Sequence, residues 1–383
     1  MIWLRFKFFE NFIPFTSIMR KYLLWVTQWH HSFRSFVLVR FLRRIVPQKS
    51  VLIVEPNPYH GEILPGYAKY WCDLGYNVEL ILRPELVYDA PFCRFDKTPK
   101  IFYMLPHQTK RALKIKAKSY DFVFLSTSVI ATVQAGCYIK HLGFEPNGKH
   151  GFFMIEHTIA PHIKEMGHDK LGAPIFSISG FQNVPALSPH YFGDIKITSK
   201  SVKTSFAATV NISENRTLLF DSVRELLRRG HDNFRVIICG RTVAIKIPSD
   251  LKKYIVKTGK CSFDTLWKIW EQSDFMLPLL NPEPRAGQER YAGNCCTGSY
   301  NGILGFQKPA IIHSTFSKHY KLDETNSIIY DDNKKLPDAM VQAIMMNNAN
   351  YAEMQSGLSK LAKSLEKESL DNLQAAIEKN CQK

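Results

Sequence analysis

No Asp-x-Asp pair occurs anywhere in these 383 residues, so the acidic motif that commonly holds a divalent ion on a diphosphate is missing. There is no G-x-x-x-x-G-K-[ST] element, no G-x-G-x-x-G after the first strand and no G-x-S-x-G elbow. Kinase, dehydrogenase and α/β-hydrolase readings thereby lose the loops their chemistry needs. The eight cysteines have no paired spacing, which removes a disulfide scaffold or a zinc site and points to a reducing compartment. Charges interrupt every apolar run before it reaches the roughly 20 residues of a spanning helix. No short apolar core leads into a small-residue cleavage site either, so a secretory signal is not expected.

What remains is a globular composition, 45% hydrophobic and 22% charged, long enough for two domains and an appendage. The formal charge is +16, and its placement decides what it is for. Residues 1–50 hold nine Lys and Arg against the single acid Glu10, interleaved with Trp and Phe. That mixture suits the headgroup layer of an anionic bilayer. At 100° per residue Leu38, Phe41, Leu42 and Ile45 share a face opposite Arg40, Arg43 and Arg44. The alternatives for this stripe are the protein's own core, a dimer partner or a true anchor. The expectation is a membrane-associating segment over 1–48, with Trp25, Trp29, Arg40, Phe41, Arg43 and Arg44 at the lipid. The remaining basic excess is spread over some 330 residues with no recognition module, so nucleic acid is not an expected partner.

The run Ser50 to Glu55 reads as a strand, then a loop with His60-Gly61-Glu62, then a helix from Ile63 to Leu74, and Asn77 to Leu82 is the next strand. Further strands are expected at Phe122 to Leu125, Phe152 to Ile155, Ile175 to Ile178 and Ile195 to Thr198, with helices near 108–118 and 127–141. The pattern restarts with a strand at Phe206 to Val210, a helix at Asn215 to Arg229 and a strand at Phe234 to Cys239. Helices near 249–257 and 262–272, a strand at Phe275 to Leu279, a helix from Thr297 and a strand at Ala310 to His313 follow. Beyond 337 everything reads as helix, with Tyr351, Met354, Leu358, Leu361 and Leu365 three or four residues apart. Such a stripe must dock, and packing back across the domains is favoured over a coiled coil. The fold class is therefore α/β, two Rossmann-like doubly wound domains at 49–200 and 201–345 facing a cleft, with a closing helix at 346–383.

Ligands in such folds sit at the carboxyl ends of the strands. Thr297-Gly298-Ser299 opens a helix there, so amides, dipole and hydroxyls can converge on a diphosphate; a plain Thr cap is the simpler alternative. Arg216, at the start of a helix, and Arg241, after the Gly240 turn, are candidate cations for a leaving diphosphate. In the first domain His60, Gly61 and Glu62 occupy the first strand-to-helix turn, and His157 follows a buried strand with His162 further on. Glu62 and His157 are the candidate catalytic bases, although a first-turn acid and a packed histidine are ordinary structural features too.

The order of features from Phe206 to Pro309, with FRVIICG at 234–240, IPSDL at 247–251, SDFMLPLL at 273–280, TGS at 297–299 and LGFQKPAII at 304–312, resembles the donor half of GT-B-fold glycosyltransferases of bacterial surface polysaccharide synthesis. HGEILPGYAKYWCDLGYNVEL at 60–80 is similar to their opening acceptor-side unit. The resemblance implies transfer of a sugar from a nucleotide sugar to a hydroxyl of a lipid-linked saccharide or lipopolysaccharide, without cofactor or metal, at the cytoplasmic face of a membrane. It also implies a diphosphate held by Ser299 and neighbouring amides, supported by Arg216, with Cys261 to Phe263 facing the base. One departure is Gly302, where many members carry a ribose-binding Glu; Glu289 and Asn294 are substitutes to consider. A nucleotide-sugar epimerase on the same fold, or a binding scaffold that has lost its chemistry, are the alternatives.

Overall fold

The computed structural model describes residues 36–95, 97–128, 151–159, 174–209, 213–240 and 245–382. The first sheet contains β1 (Ser50–Glu55), β2 (Asn77–Leu82), β3 (Lys100–Tyr103), β4 (Phe122–Leu125), β5 (Gly151–Glu156) and β6 (Ile175–Ser177), in the order β3-β2-β1-β4-β5-β6. The second contains β7 (Thr204–Ala208), β8 (Phe234–Cys239), β9 (Ile255–Gly259), β10 (Phe275–Leu277), β11 (Ala310–His313) and β12 (Ser327–Tyr330), in the order β12-β11-β10-β7-β8-β9. Every strand pairing is parallel. Numbered within its own half, the second order is the first over again. Each sheet thus has a switch point, between β1 and β4 and between β7 and β10, where neighbouring connections diverge and leave a crevice.

Central strands buried on both faces need unbroken apolar runs, and SVLIVE in β1 is buried at all six positions. The helices used below are α1 (36–42), α2 (Leu64–Asp73), α3 (Pro106–Lys116), α4 (Ser213–Arg228), α5 (Phe263–Gln272), α6 (Gly298–Gly305), α7 (Leu336–Met345) and α8 (Asn348–Cys381). Gly75 ends α2's turn at φ +80°, a conformation that glycine adopts without strain. Asn347 caps α8 by accepting from the Asn350 N–H at 2.8 Å, a cap worth about 1 kcal/mol.

Helix α8 runs from one domain to the other. Tyr351, near its start, belongs to the core of the second domain and donates to the Asp274 carbonyl at 2.7 Å. Leu358 and Leu365 pack with residues of α6. Leu373 and Ile377 enter the first domain's core, and the Ser369 hydroxyl accepts from the Ser188 N–H at 2.9 Å. The expected stripe docks across both domains, but the terminal helix is not continuous from 337, because residues 346 and 347 break it into α7 and α8.

Several expectations fail locally. Residues 249–257 are a short 3-10 turn followed by β9, not a helix. Ile195 to Thr198 forms no strand; Lys196 N–H donates to Glu271 at 2.6 Å, so this extended linker spends its hydrogen bonds on α5. The helix expected at 127–141 lies mostly outside the described residues, and its first two are not helical.

The amphipathic stripe of α1 also needs correction. Phe41 is fully buried, edge-on to Phe102 at 4.9 Å and stacked on Tyr120 at 6.4 Å. Arg44 pairs with the buried carboxylate of Glu79, which also accepts from Tyr120 at 2.6 Å. Burying a Phe side chain stabilises by about 1.5–3 kcal/mol, so Phe41 and Arg44 belong to the protein rather than to lipid. Arg40 and Arg43 remain exposed, whereas Trp25 and Trp29 lie outside the described residues.

Candidate functional site

The connections leaving β1, β4 and β5 meet those around α6 in a cavity of about 280 Å³. Its lining from the first domain includes His60, Glu62, Thr127, Glu156 and His157, and from the second Arg290, Thr297, Gly298 and Asn301. The two sides are stitched at its edge by an antiparallel bridge between Thr158 and Cys295 and by the Ile159 N–H donating to the Asn294 carbonyl at 2.7 Å.

The geometry of the first-domain side follows from the switch point. Glu55 ends β1 in the core and accepts from Asn57 N–H at 2.6 Å and from the Ser126 and Thr127 hydroxyls, both at 2.8 Å. Burial pushes its carboxyl up to about 8, against these hydrogen bonds. It therefore enters the network as a neutral acid near pH 7. Ser126 in turn fixes His157, whose Nε2 lies 3.0 Å from the Ser126 carbonyl. A carbonyl only accepts, so Nε2 carries the proton and Nδ1 is left as an acceptor. The His60 ring stacks on His157 with centroids 4.4 Å apart. Burial lowers both imidazoles, His157 to about 3 with His60 contributing, and His60 to about 4, so both are neutral at physiological pH.

Glu62 has the opposite character. Burial raises its carboxyl to about 7, partly offset by its own backbone N–H and reinforced by Asp89. A group titrating there exchanges protons readily near neutrality. Glu62 also faces the second domain: a Cβ built on Gly298 would lie 4.0 Å from its Oε1. Gly298 opens α6, the crossover from β10 to β11, and the Thr297 side chain makes no cap hydrogen bond there. The first-turn amides of α6 therefore lack a side-chain cap at the mouth of the cavity. One turn on, Asn301 is 2% exposed, and its Oδ1 has no hydrogen-bond partner among the described residues.

The remaining sequence candidates fall into three groups. Ser299 is buried, and its hydroxyl lies 2.9 Å from that of Thr209, so it ties α6 to β7 and does not line the cavity. Arg216 is half-buried at the start of α4 and is also not in the lining. Gly240 ends β8 at φ +110°, its N–H 3.4 Å from the Thr258 hydroxyl; Arg241 and His162 lie outside the described residues. At Gly61 an added Cβ would meet the Phe263 ring at 2.8 Å, so packing requires a glycine there. That ring also stacks on Trp267, so Phe263 serves interdomain packing. Arg290, missed in the sequence, is the cation of the lining; it lies over the Tyr291 ring at 4.9 Å.

Gly302 has a packing explanation. A Cβ at this position would sit 2.7 Å from the Trp270 ring, so α6 and α5 approach too closely for any side chain. Asn294, one substitute considered for ribose, already accepts from Gln182 at 3.0 Å, and Glu289 is exposed. Introducing an acid here as Gly302→Glu is expected to destabilise by about 1–3 kcal/mol through overpacking. Chemical denaturation would register this as a lowered midpoint, and an unchanged midpoint would contradict the close approach.

Among the described residues no group of three or more His, Cys, Asp or Glu is arranged to hold a metal ion. No helix among them is long and apolar enough to cross a membrane.

No protein-family model matches the chain, and no curated protein matches it. Solved structures do. The glycotransferase of kitacinnamycin superposes with TM-score 0.54 at 9% identity, covering 86% of this chain and 100% of that one. The spinosyn rhamnosyltransferase SpnG, complexed with spinosyn aglycone, gives TM-score 0.48 at 11% identity over 82% of this chain and 96% of that one. A putative UDP-N-acetylglucosamine 2-epimerase from Listeria monocytogenes gives 0.47 at 11% identity over 81% and 91%. At such identities the likeness establishes architecture alone: two parallel α/β domains closed by a terminal helix, the GT-B-like fold.

Proposed function

We propose that this chain transfers a sugar from a nucleotide sugar to an acceptor hydroxyl in the interdomain cavity, the acceptor being a lipid-linked saccharide or lipopolysaccharide at a membrane surface. The observation that carries this reading is the opposition of Glu62, titrating near neutrality, to the uncapped first turn of α6. In that geometry the carboxylate of Glu62 takes the proton of the acceptor hydroxyl. The oxygen attacks the anomeric carbon, and the bond to the diphosphate breaks. The first-turn amides of α6 and the Arg290 guanidinium receive the charge that builds on the departing diphosphate. His157 Nδ1 accepts a hydrogen bond from the acceptor and orients it.

A thermal-shift panel of nucleoside diphosphates tests donor binding, because a ligand bound only by the native state raises its stability by RT ln(1 + [L]/Kd). No shift with any of them would remove this reading. Transfer is expected to persist in excess EDTA, since amides and Arg290 stand where a cation would neutralise the diphosphate. Loss of rate on chelation with recovery on adding magnesium or manganese would contradict this mechanism. Product analysis separates transfer from epimerisation: transfer releases nucleoside diphosphate, whereas epimerisation alone returns an intact nucleotide sugar.

A further inference from the structure

Helices α1 and α3 pack on the same edge of the first domain, around Phe102 and Tyr120, and Lys116 of α3 donates to the Arg44 carbonyl at 2.7 Å. Their inward faces are used up by that core. Their outward faces carry Arg40 on α1 with Arg43 just beyond it, and Lys110, Arg111 and Lys114 on α3 with Lys118 just beyond, all exposed. No Asp or Glu occurs in residues 36–54 or 97–120, so neither stretch supplies a counter-charge. Among these cations stand large apolar side chains in water: Phe36 is 59% exposed, Val39 41% and Ile115 53%.

We infer that this α1/α3 face is a docking surface for an anionic lipid bilayer. Charge complementarity requires a negative partner. Residues 1–35 are themselves basic, with five Lys and Arg against Glu10, and a second copy of a chain carrying +16 repels this face. The interleaved Phe36, Val39 and Ile115 choose lipid over nucleic acid. A phosphate backbone offers such side chains nothing apolar, whereas the headgroup boundary lets them insert while the cations meet anionic headgroups. The assignment moves the lipid contact from the buried Phe41 and paired Arg44 to α3, a helix not expected to take part. It gives the proposed acceptor a membrane address, yet it stands without that reading, because binding is measured with no donor and no turnover.

The full chain is sedimented with vesicles of phosphatidylcholine alone and with about 30 mol% phosphatidylserine, a surface that attracts roughly 1 kcal/mol per nearby Lys or Arg. Wild type is expected to bind only the anionic vesicles and to release as salt rises from about 0.1 to 0.5 M, where screening shortens to a few ångströms. The variant K110Q/R111Q/K114Q/K118Q, on exposed positions that leave the core intact, should partition roughly 10²- to 10³-fold more weakly. F36S/I115S should weaken binding and leave what remains more sensitive to salt. Wild type ignoring anionic vesicles, the four-substitution variant binding like wild type, or tighter retention on a DNA duplex than on vesicles at equal salt would each overturn the assignment. Residues 1–35 could by themselves carry the wild-type salt and lipid response, so if the four-substitution variant folds poorly the milder K110Q/K114Q is compared with wild type instead, and undiminished binding by it would overturn the assignment equally.

Discussion

Replacing Glu62 with Gln is expected to lower turnover by roughly 10² to 10⁴, the usual loss when a general base is removed, while nucleoside diphosphate binding persists. The pH dependence gives the sharper test. Glu62 works as a base only when ionised, and burial raises its carboxyl to about 7. In wild type, kcat/KM should fall about tenfold per pH unit below that value and level off above it. The Gln variant should lose this acid limb. His157→Ala is expected to act differently, because burial keeps His157 neutral across the same range and its Nε2–H is held by the Ser126 carbonyl. It should raise KM more than it lowers kcat and leave the limb near pH 7 in place. Rates at saturating donor from about pH 5.5 to 9 distinguish these outcomes. A limb near 7 that survives in the Glu62 variant would assign the base elsewhere.

Gly298→Asp should abolish donor binding while the fold persists. A Cβ at Gly298 meets only Glu62 Oε1, at 4.0 Å, so the side chain has room. An acid in the first turn favours a helix by about 0.3–1 kcal/mol, and repulsion from the neighbouring Glu62 carboxyl works against that gain. The introduced carboxylate, however, occupies the mouth of the anion site. Two unit charges about 4 Å apart at an effective dielectric near 20 repel by about 4 kcal/mol, and even part of that lowers affinity at least ~10²-fold. Gly298→Asn tests the charge separately from the volume and should retain most of the binding. Undiminished diphosphate affinity in the Asp variant would place the donor away from α6.

The interior of the fold was legible because strands buried on both sides leave one signature. β1, β2, β4, β8 and β11 fall within the expected bounds, each a short run of Val, Ile, Leu or Phe. The strands missed are β3, β9 and β12, all at sheet edges. In β9, Val256 and Lys257 face water, so IVKTG carries no unbroken apolar run and merged with the turn before it. β12, SIIY, is as short as β4 and β11 and nearly as buried, so neither length nor burial accounts for its being missed. Ile195 to Thr198 misled in the other direction, since an extended linker that crosses between domains has the composition of a strand.

The candidate site divides in the same way. His60, Glu62, His157 and Gly298 were visible because they follow a strand or open a helix, where chain order alone brings them to the cleft. Arg290 and Asn301 were not, because one lies on a single 3-10 turn, Glu289–Tyr291, within a long connection and the other reaches the cavity only through the rotation of α6. Ser299 and Phe41 show the limit from the other side. One was assigned from its place at a helix start and the other from an amphipathic stripe, and both are taken up by contacts, with Thr209 and Phe102 respectively, that no local pattern announces.

The path of α8 has a consequence for how the molecule is made. The segment around Ala186 to Ser188 is covered by α8, through Asn372 donating to the Ala186 carbonyl at 3.0 Å and through Leu373 in the first domain's core. At a synthesis rate of about 5–20 residues per second, the ribosome needs roughly 10–40 s to pass from this segment to the end of α8. Throughout that interval the first domain stands assembled around its sheet but with this apolar flank open to solvent or to chaperones. Vectorial synthesis therefore leaves the seal of the first sheet's domain to a helix made well after it, and a message truncated before codon 348 would release a nascent chain prone to aggregate even though both sheets are encoded in full.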